Sequence, residues 1–161
     1  MNLEIRSIIK DDLGALKDIL ATIELFPSDL LDDMTSDYLT NPDCEEIWFT
    51  AIEQDNPVSI GYCVPEKLTS GTYNLLAIGV RSDIQGKGVG KVMMNYLEDL
   101  LRKREGRILI VETSGTEDFH LTRKFYENLD YQKEAVIRDF WEDGDDKVIY
   151  WKRLQKDFST N

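Results

Sequence analysis

The sequence predicts an α+β fold, a mixed and mostly antiparallel sheet of about seven strands flanked by about four helices, in the order β-α-α-β-β-β-α-β-α-β-β. Three observations carry that expectation. Segments whose apolar residues alternate give way to segments whose apolar residues recur at helical spacing. Three strand-like segments follow one another through short turns, which makes an antiparallel meander. A glycine-rich loop then leads from the last of these strands into a strongly periodic helix.

Each element has a local reason. Residues 3–8 alternate and read as a strand. Asp11 and Asp12 stand at an N-cap position before Leu13, Leu16, Leu20 and Ile23, which share one helix face. Pro27, Ser28 and Asp29 start a second short helix carrying Leu30, Leu31, Met34 and Tyr38, and Asn41-Pro42-Asp43 ends it. Residues 46–53, 58–64 and 73–80 form the meander, separated by Gln54-Asp55-Asn56-Pro57 and by Ser70-Gly71. Val89, Val92, Met93, Tyr96, Leu97, Leu100 and Leu101 define the next helix; Arg102, Lys103 and Arg104 suit its C-terminal dipole, and Gly106 is the expected C′ residue. Residues 107–113 read as a buried strand, and 118–129 as a helix with Leu121, Phe125 and Leu129 on its inward face. Residues 131–141 and 147–154 close the chain as a hairpin around an acidic turn at 142–146.

With 161 residues and 42% hydrophobic content, one domain is expected over 1–154, with a C-terminal tail at 155–161. The net charge of −12 argues against nucleic acid as a partner, because such binding neutralises phosphates with cations. No apolar run reaches the ~20 residues of a membrane span, and the first residues lack the apolar stretch of a secretory signal. The expectation is a cytoplasmic protein with reduced Cys44 and Cys63 and no membrane partner. No spacing of Cys and His offers a metal site, so no metal is expected.

The informative stretch is Gln85-Gly86-Lys87-Gly88-Val89-Gly90-Lys91, between a strand and a helix. Alternate glycines let successive backbone N–H groups turn toward one anion, and a helix N-terminus adds unsatisfied N–H groups and partial positive charge. The chemistry suits a pyrophosphate. A Walker A loop would need Gly where Gln85 stands and Ser or Thr where Val92 stands. A dinucleotide fingerprint would need Gly at Lys91 and a parallel βαβ setting.

With its flanking strand and helix, this segment resembles the acyl-CoA-binding motif of the GNAT N-acyltransferases, Gln/Arg-x-x-Gly-x-Gly/Ala, through Gln85, Gly88 and Gly90. Residues 123–131, with Phe125 and Tyr126, are similar to the family's aromatic-Tyr-x-x-x-Gly-Phe segment, with Asp130 and Tyr131 where Gly and Phe usually stand. The order of elements matches as well.

That resemblance implies a GNAT-like fold and transfer of an acetyl group from acetyl-CoA, as co-substrate, to a primary amine in a ternary complex. It implies that the backbone of Ile78, Gly79 and Val80 pairs with pantetheine amides, and that the residues from Gln85 to Lys91 cradle the pyrophosphate. Tyr126 is the expected acid for the leaving thiolate, since a phenol of pKa ~10 is protonated at neutral pH. Glu112 is the expected base, on a strand face shared with Ile108 and Ile110; Glu66 and a water chain stay open as alternatives. The acceptor is a small-molecule or peptide amine. Asp29, Asp32, Asp33, Asp37, Asp43, Glu45 and Glu46 would draw a cationic one, or are a solvated helix face. A homodimer is compatible with the reading, and a non-catalytic acyl-CoA sensor is the rival to an enzyme.

Overall fold

The computed structural model describes residues 1–154, so the expected tail at 155–161 lies outside the described residues. Among these residues eight strands and four α-helices follow in the order β1 (Glu4–Ser7), α1 (Leu13–Leu20), α2 (Leu31–Thr40), β2 (Ile47–Glu53), β3 (Asn56–Pro57), β4 (Ser59–Pro65), β5 (Thr72–Val80), α3 (Val89–Lys103), β6 (Ile108–Ser114), α4 (His120–Asn128), β7 (Gln132–Glu142) and β8 (Asp145–Arg153). The strands belong to one mixed sheet in which β5 and β6 pair in parallel and the other described ladders are antiparallel. The eighth strand, beyond the expected seven, is the two-residue β3 (Asn56–Pro57), which pairs with the end of β2. It forms because Gln54 and Asp55 both adopt left-handed φ, +49° and +65°, and turn the chain straight back.

The described residues form two compact units, one of Met1–Pro65 with Leu76–Leu97, the other of Glu66–Leu75 with the described residues from Glu98 onward. In the first unit, β1 (Glu4–Ser7) pairs with β2 (Ile47–Glu53), and β2 with β4 (Ser59–Pro65). Helices α1 (Leu13–Leu20) and α2 (Leu31–Thr40) cover a core of Ile8, Leu16, Ile19, Leu20, Leu31, Trp48 and Ile60. Burying each such aliphatic side chain contributes about 1.5–3 kcal/mol, which favours this face over any exposed alternative.

Asp12 serves differently from the expected cap. Its carboxylate accepts the Ile9 N–H at 2.8 Å and takes both Arg6 Nη atoms at 2.7 and 3.0 Å. The Arg6 hydrogen bonds, with help from the Ile9 N–H, hold the Asp12 carboxyl below its usual range against the opposing effect of burial. A depressed folded-state pKa stabilises the fold above the ordinary carboxylate value of ~4, and that contribution is lost as pH falls through the folded value. The Tm gap between the wild type and Asp12→Asn is therefore expected to be full at neutral pH and to shrink under acid; a gap independent of pH would refute the linkage.

In the second unit, β5 (Thr72–Val80) pairs through its first half with β6 (Ile108–Ser114), β6 with β8 (Asp145–Arg153), and β8 with β7 (Gln132–Glu142). Helix α3 (Val89–Lys103) ends in a Schellman motif: the Gly106 N–H bonds Leu101 O at 2.8 Å and the Glu105 N–H bonds Arg102 O at 3.1 Å. The left-handed residue is Glu105, at φ +61°, and not the expected Gly106. Glycine is needed one place later for clearance, because a Cβ at 106 would stand 2.9 Å from Leu101 O.

Helix α4 (His120–Asn128) corrects a second expectation. Leu121 is 80% exposed, whereas Tyr126 is buried and Thr122, Phe125 and Leu129 are half-buried beside it. The buried face is centred on Tyr126, and Leu121, five positions earlier, lies about 140° away around the helix.

Candidate active site

The glycine loop lies in the first unit and is pinned at both ends. Ile84, closing the 3₁₀ turn Ser82–Ile84, is 6% exposed, and Val89, opening α3, is 1% exposed. Between them Gln85, Gly86, Lys87 and Gly88 are all exposed. Gly86 and Gly88 adopt φ of +76° and +86°, a region that side-chain-bearing residues rarely enter. Around the position of a Cβ at either glycine there is no atom within 4 Å, so the backbone there is open to a ligand. Lys87 and Lys91 are exposed at the rim. Gln85 Nε2 donates to Val80 O at 2.9 Å, which fixes the loop's exit from β5.

The β5–β6 ladder runs from Thr72 opposite Ile108 to Leu75 opposite Val111, and β5 carries on past it through Ile78, Gly79 and Val80. A side chain at Gly79 would collide with Ile23, so the glycine lets the segment after α1 approach this strand.

In the second unit, Tyr126 is 3% exposed and packs against Tyr131 and Tyr150, each with ring centroids 5.8 Å away. Burial raises its phenol well above the usual value, so the group is protonated at neutral pH. Tyr150 is pushed up to about 12 by burial and by its hydrogen bond to Glu127. Arg123 fastens the turn before α4, donating to Ser114 O and Thr116 O at 2.9 and 2.6 Å.

Glu112 stands opposite Ile149 on β8, while Tyr150 stands opposite Val111. Side chains alternate along a strand, so Glu112 faces the side of this sheet opposite to the one on which Tyr126 packs. The apolar setting expected for Glu112 is not what its carboxylate meets. Oε2 pairs with Lys147 Nζ at 2.9 Å, and Oε1 accepts from Asn74 Nδ2 at 3.2 Å. Lys147 shares the face because it lies two places from Ile149, in diagonal reach of Glu112.

The same Asn74 amide also donates to Glu66 Oε1 at 2.9 Å. Both carboxylates considered for the base thus meet at one side chain. Asn74 is 3% exposed, and its Oδ1 is the buried side-chain atom without a hydrogen-bond partner among the described residues. Such an atom is costly unless something else satisfies it. Lys147 Nζ also lies 4.1 Å from the Phe140 ring centroid and 5.8 Å from that of Trp141. Asn74, Lys147, Phe140 and Trp141 were not legible as site residues. A polar residue inside the apolar run 73–80 was the one available signal, for Asn74.

The acidic residues of the first unit are less free than the sequence suggests. Glu46 accepts from Trp48 Nε1 and Tyr62 Oη, each at 3.1 Å, and Asp32 pairs with Lys17 at 2.7 Å. Among the described residues no group of three His, Cys, Asp or Glu side chains could hold a metal ion, and no helix is long and apolar enough to cross a membrane.

Comparison with known proteins gives consistent results. The profile of the acetyltransferase (GNAT) family matches residues 10–131. Over 154 residues the chain is 25% identical to an uncharacterized N-acetyltransferase of Methanocaldococcus jannaschii, covering 92% of this chain and 90% of that protein. A crystal structure from Desulfovibrio desulfuricans, assigned to the GNAT family, is similar with a TM-score of 0.88 and 26% identity over 96% of this chain and 100% of that one. An aminoglycoside 6′-N-acetyltransferase complexed with coenzyme A shares the fold, with a TM-score of 0.69 and 19% identity over 95% of this chain and 98% of that one.

Proposed function

We propose a donor and an acceptor for a chain that belongs to the acetyltransferase (GNAT) family: acetyl-CoA gives the acetyl group, and a primary amine takes it by direct attack in a ternary complex. Membership makes the chain an acyltransferase, of the N-acetyltransferase kind. The observation that carries the proposal is the loop from Gln85 to Lys91, with its two open left-handed glycines at the start of a 15-residue helix. Convergent N–H groups and a helix N-terminus suit the pyrophosphate of coenzyme A. The aminoglycoside-modifying neighbour, complexed with coenzyme A, supports the same donor.

In this proposal Gly86, Lys87, Gly88, Val89, Gly90 and Lys91 hold the pyrophosphate, and Gln85 shapes the loop through Val80 O. Ile78, Gly79 and Val80 offer backbone N–H and C=O groups to the pantetheine amides, as a sheet edge does to an added strand. Glu112, or Glu66 beside the same amide, takes a proton from the incoming ammonium on the face of the sheet opposite to Tyr126. The C–N bond forms, the C–S bond breaks, Tyr126 gives its proton to the departing thiolate, and the second proton shed by the nitrogen returns through solvent to restore the Tyr126 phenol. A cytoplasmic location belongs to the proposal too, because thiols such as Cys44 stay reduced there.

Calorimetry with coenzyme A tests the loop. Gly88→Val forces a β-branched residue into left-handed φ and is expected to weaken binding by about tenfold or more, the worth of one charge-assisted hydrogen bond, and to lower Tm by about 2–12 °C through the backbone strain while the protein stays folded. Absence of heat with the wild type would end the proposal. Tight binding without amine-dependent thiol release, across a panel of primary amines, would leave a sensor.

A further inference from the structure

We infer that Lys147 occupies a seat for a primary alkylammonium, formed by Glu112, Phe140 and Trp141, and that the acceptor amine enters by displacing it. The inference rests on the N-acetyltransferase reading and assigns that enzyme's acceptor class.

The seat has the composition that recognises an ammonium. One carboxylate oxygen lies 2.9 Å from Lys147 Nζ, and two aromatic rings stand over it at 4.1 and 5.8 Å. The rings form a corner, with centroids 4.8 Å apart and planes at 88°. An ordinary ion pair between adjacent strands needs no such corner.

The corner also takes unusual backbone to make. Phe140 and Trp141 are consecutive, and consecutive side chains of a regular strand point to opposite faces. Both reach one cation here because the β7–β8 register breaks between Ile137 and Glu142, with Asp139 at φ +54°. That irregularity is itself braced: the Asp139 N–H bonds Asp146 Oδ1 at 3.0 Å, and the Gly144 N–H bonds Asp139 Oδ1 at 2.9 Å. Bulges recur where a strand must re-aim side chains at a functional site. Packing does not explain the aromatics, since Phe140 is 47% and Trp141 49% exposed.

A second observation points the same way. Asn74 holds the other Glu112 oxygen, and its own Oδ1 is buried without a partner among the described residues. A donor arriving with a ligand beside Glu112 would satisfy an acceptor that the described protein groups leave unmet. Lys147 can leave, because its charge rides on a flexible unbranched stem. That stem also defines the ligand: a primary ammonium on a straight alkyl chain, as in a diamine or at the end of a lysine side chain.

The test uses the full-length protein without acetyl-CoA, so it does not depend on turnover. Lys147→Met keeps the stem and removes the charge. n-Butylamine, followed by calorimetry, is expected to bind Lys147→Met about tenfold or more tightly than wild type. Adding Phe140→Leu should cancel the gain. Equal affinity for the two proteins would overturn the seat. If Lys147→Met does not fold, the wild type suffices: the ring-shifted ε-methylene resonance of Lys147 should move to the position of an exposed lysine with n-butylamine but not with n-butanol. No movement would overturn the proposal. 1,5-Diaminopentane and Nα-acetyl-lysine methylamide, compared on Lys147→Met, distinguish a free diamine from a lysyl acceptor. Amine-dependent thiol release with no gain in Lys147→Met removes the seat and leaves the enzyme. The reverse pair of results removes the enzyme and leaves the seat.

Discussion

Tyr126→Phe is expected to lower kcat by about 10²–10⁴-fold while leaving coenzyme A affinity nearly unchanged, the loss typical of a positioned proton donor. The ring stays and only the hydroxyl goes, so the aromatic cluster with Tyr131 and Tyr150 keeps its packing. Burial holds the phenol protonated well above its usual value, and a group that is protonated before the thiolate forms can serve as its acid. A packing role predicts a different pattern, with lower Tm and kcat intact. Stopped-turnover thiol assays beside calorimetry separate the two, and unchanged kcat would remove Tyr126 from the chemistry.

Glu98→Ala carries the largest expected loss of stability. Glu98 is 4% exposed, and its Oε1 takes Lys152 Nζ at 2.6 Å and Tyr131 Oη at 3.2 Å. Lys152 also donates to Leu129 O at 2.9 Å, so one ion pair ties the last turns of α3 to β8 and to the end of α4. Removing the carboxylate leaves a largely buried ammonium with, among the described residues, that carbonyl and the Tyr131 ring. Breaking a buried pair costs about 3–5 kcal/mol, and the low end applies because the Lys152 side chain is 21% exposed. At about 2–4 °C per kcal/mol for a chain of this size, Tm should fall by about 6–12 °C. The double variant Glu98→Leu with Lys152→Met should recover most of the loss, since two apolar side chains leave no charge unpaired. A double variant as unstable as Glu98→Ala would mean that the site is lost for another reason.

Most of the fold was legible because its signals are local. The apolar run within residues 46–53, buried on both faces, and the helical period from Val89 to Leu101 are each written in contiguous residues. The glycine loop was legible for the same reason, since positive φ at Gly86 and Gly88 is a property of single residues. Errors arose where a neighbour decided. Leu121 looked inward although the face that packs is centred on Tyr126, and Gly106 looked like the left-handed residue although Glu105 takes that role.

The sequence by itself determined the fold class, the family resemblance and the glycine loop, because each is written in contiguous residues whose backbone preferences and periodicity act locally. Tertiary structure alone decided what surrounds Glu112. Asn74, Glu66, Lys147, Phe140 and Trp141 come from four separate stretches of chain, and they meet through strand register and one irregular hairpin. Register follows from which faces are buried and where a strand bulges, so no spacing along the chain encodes that meeting.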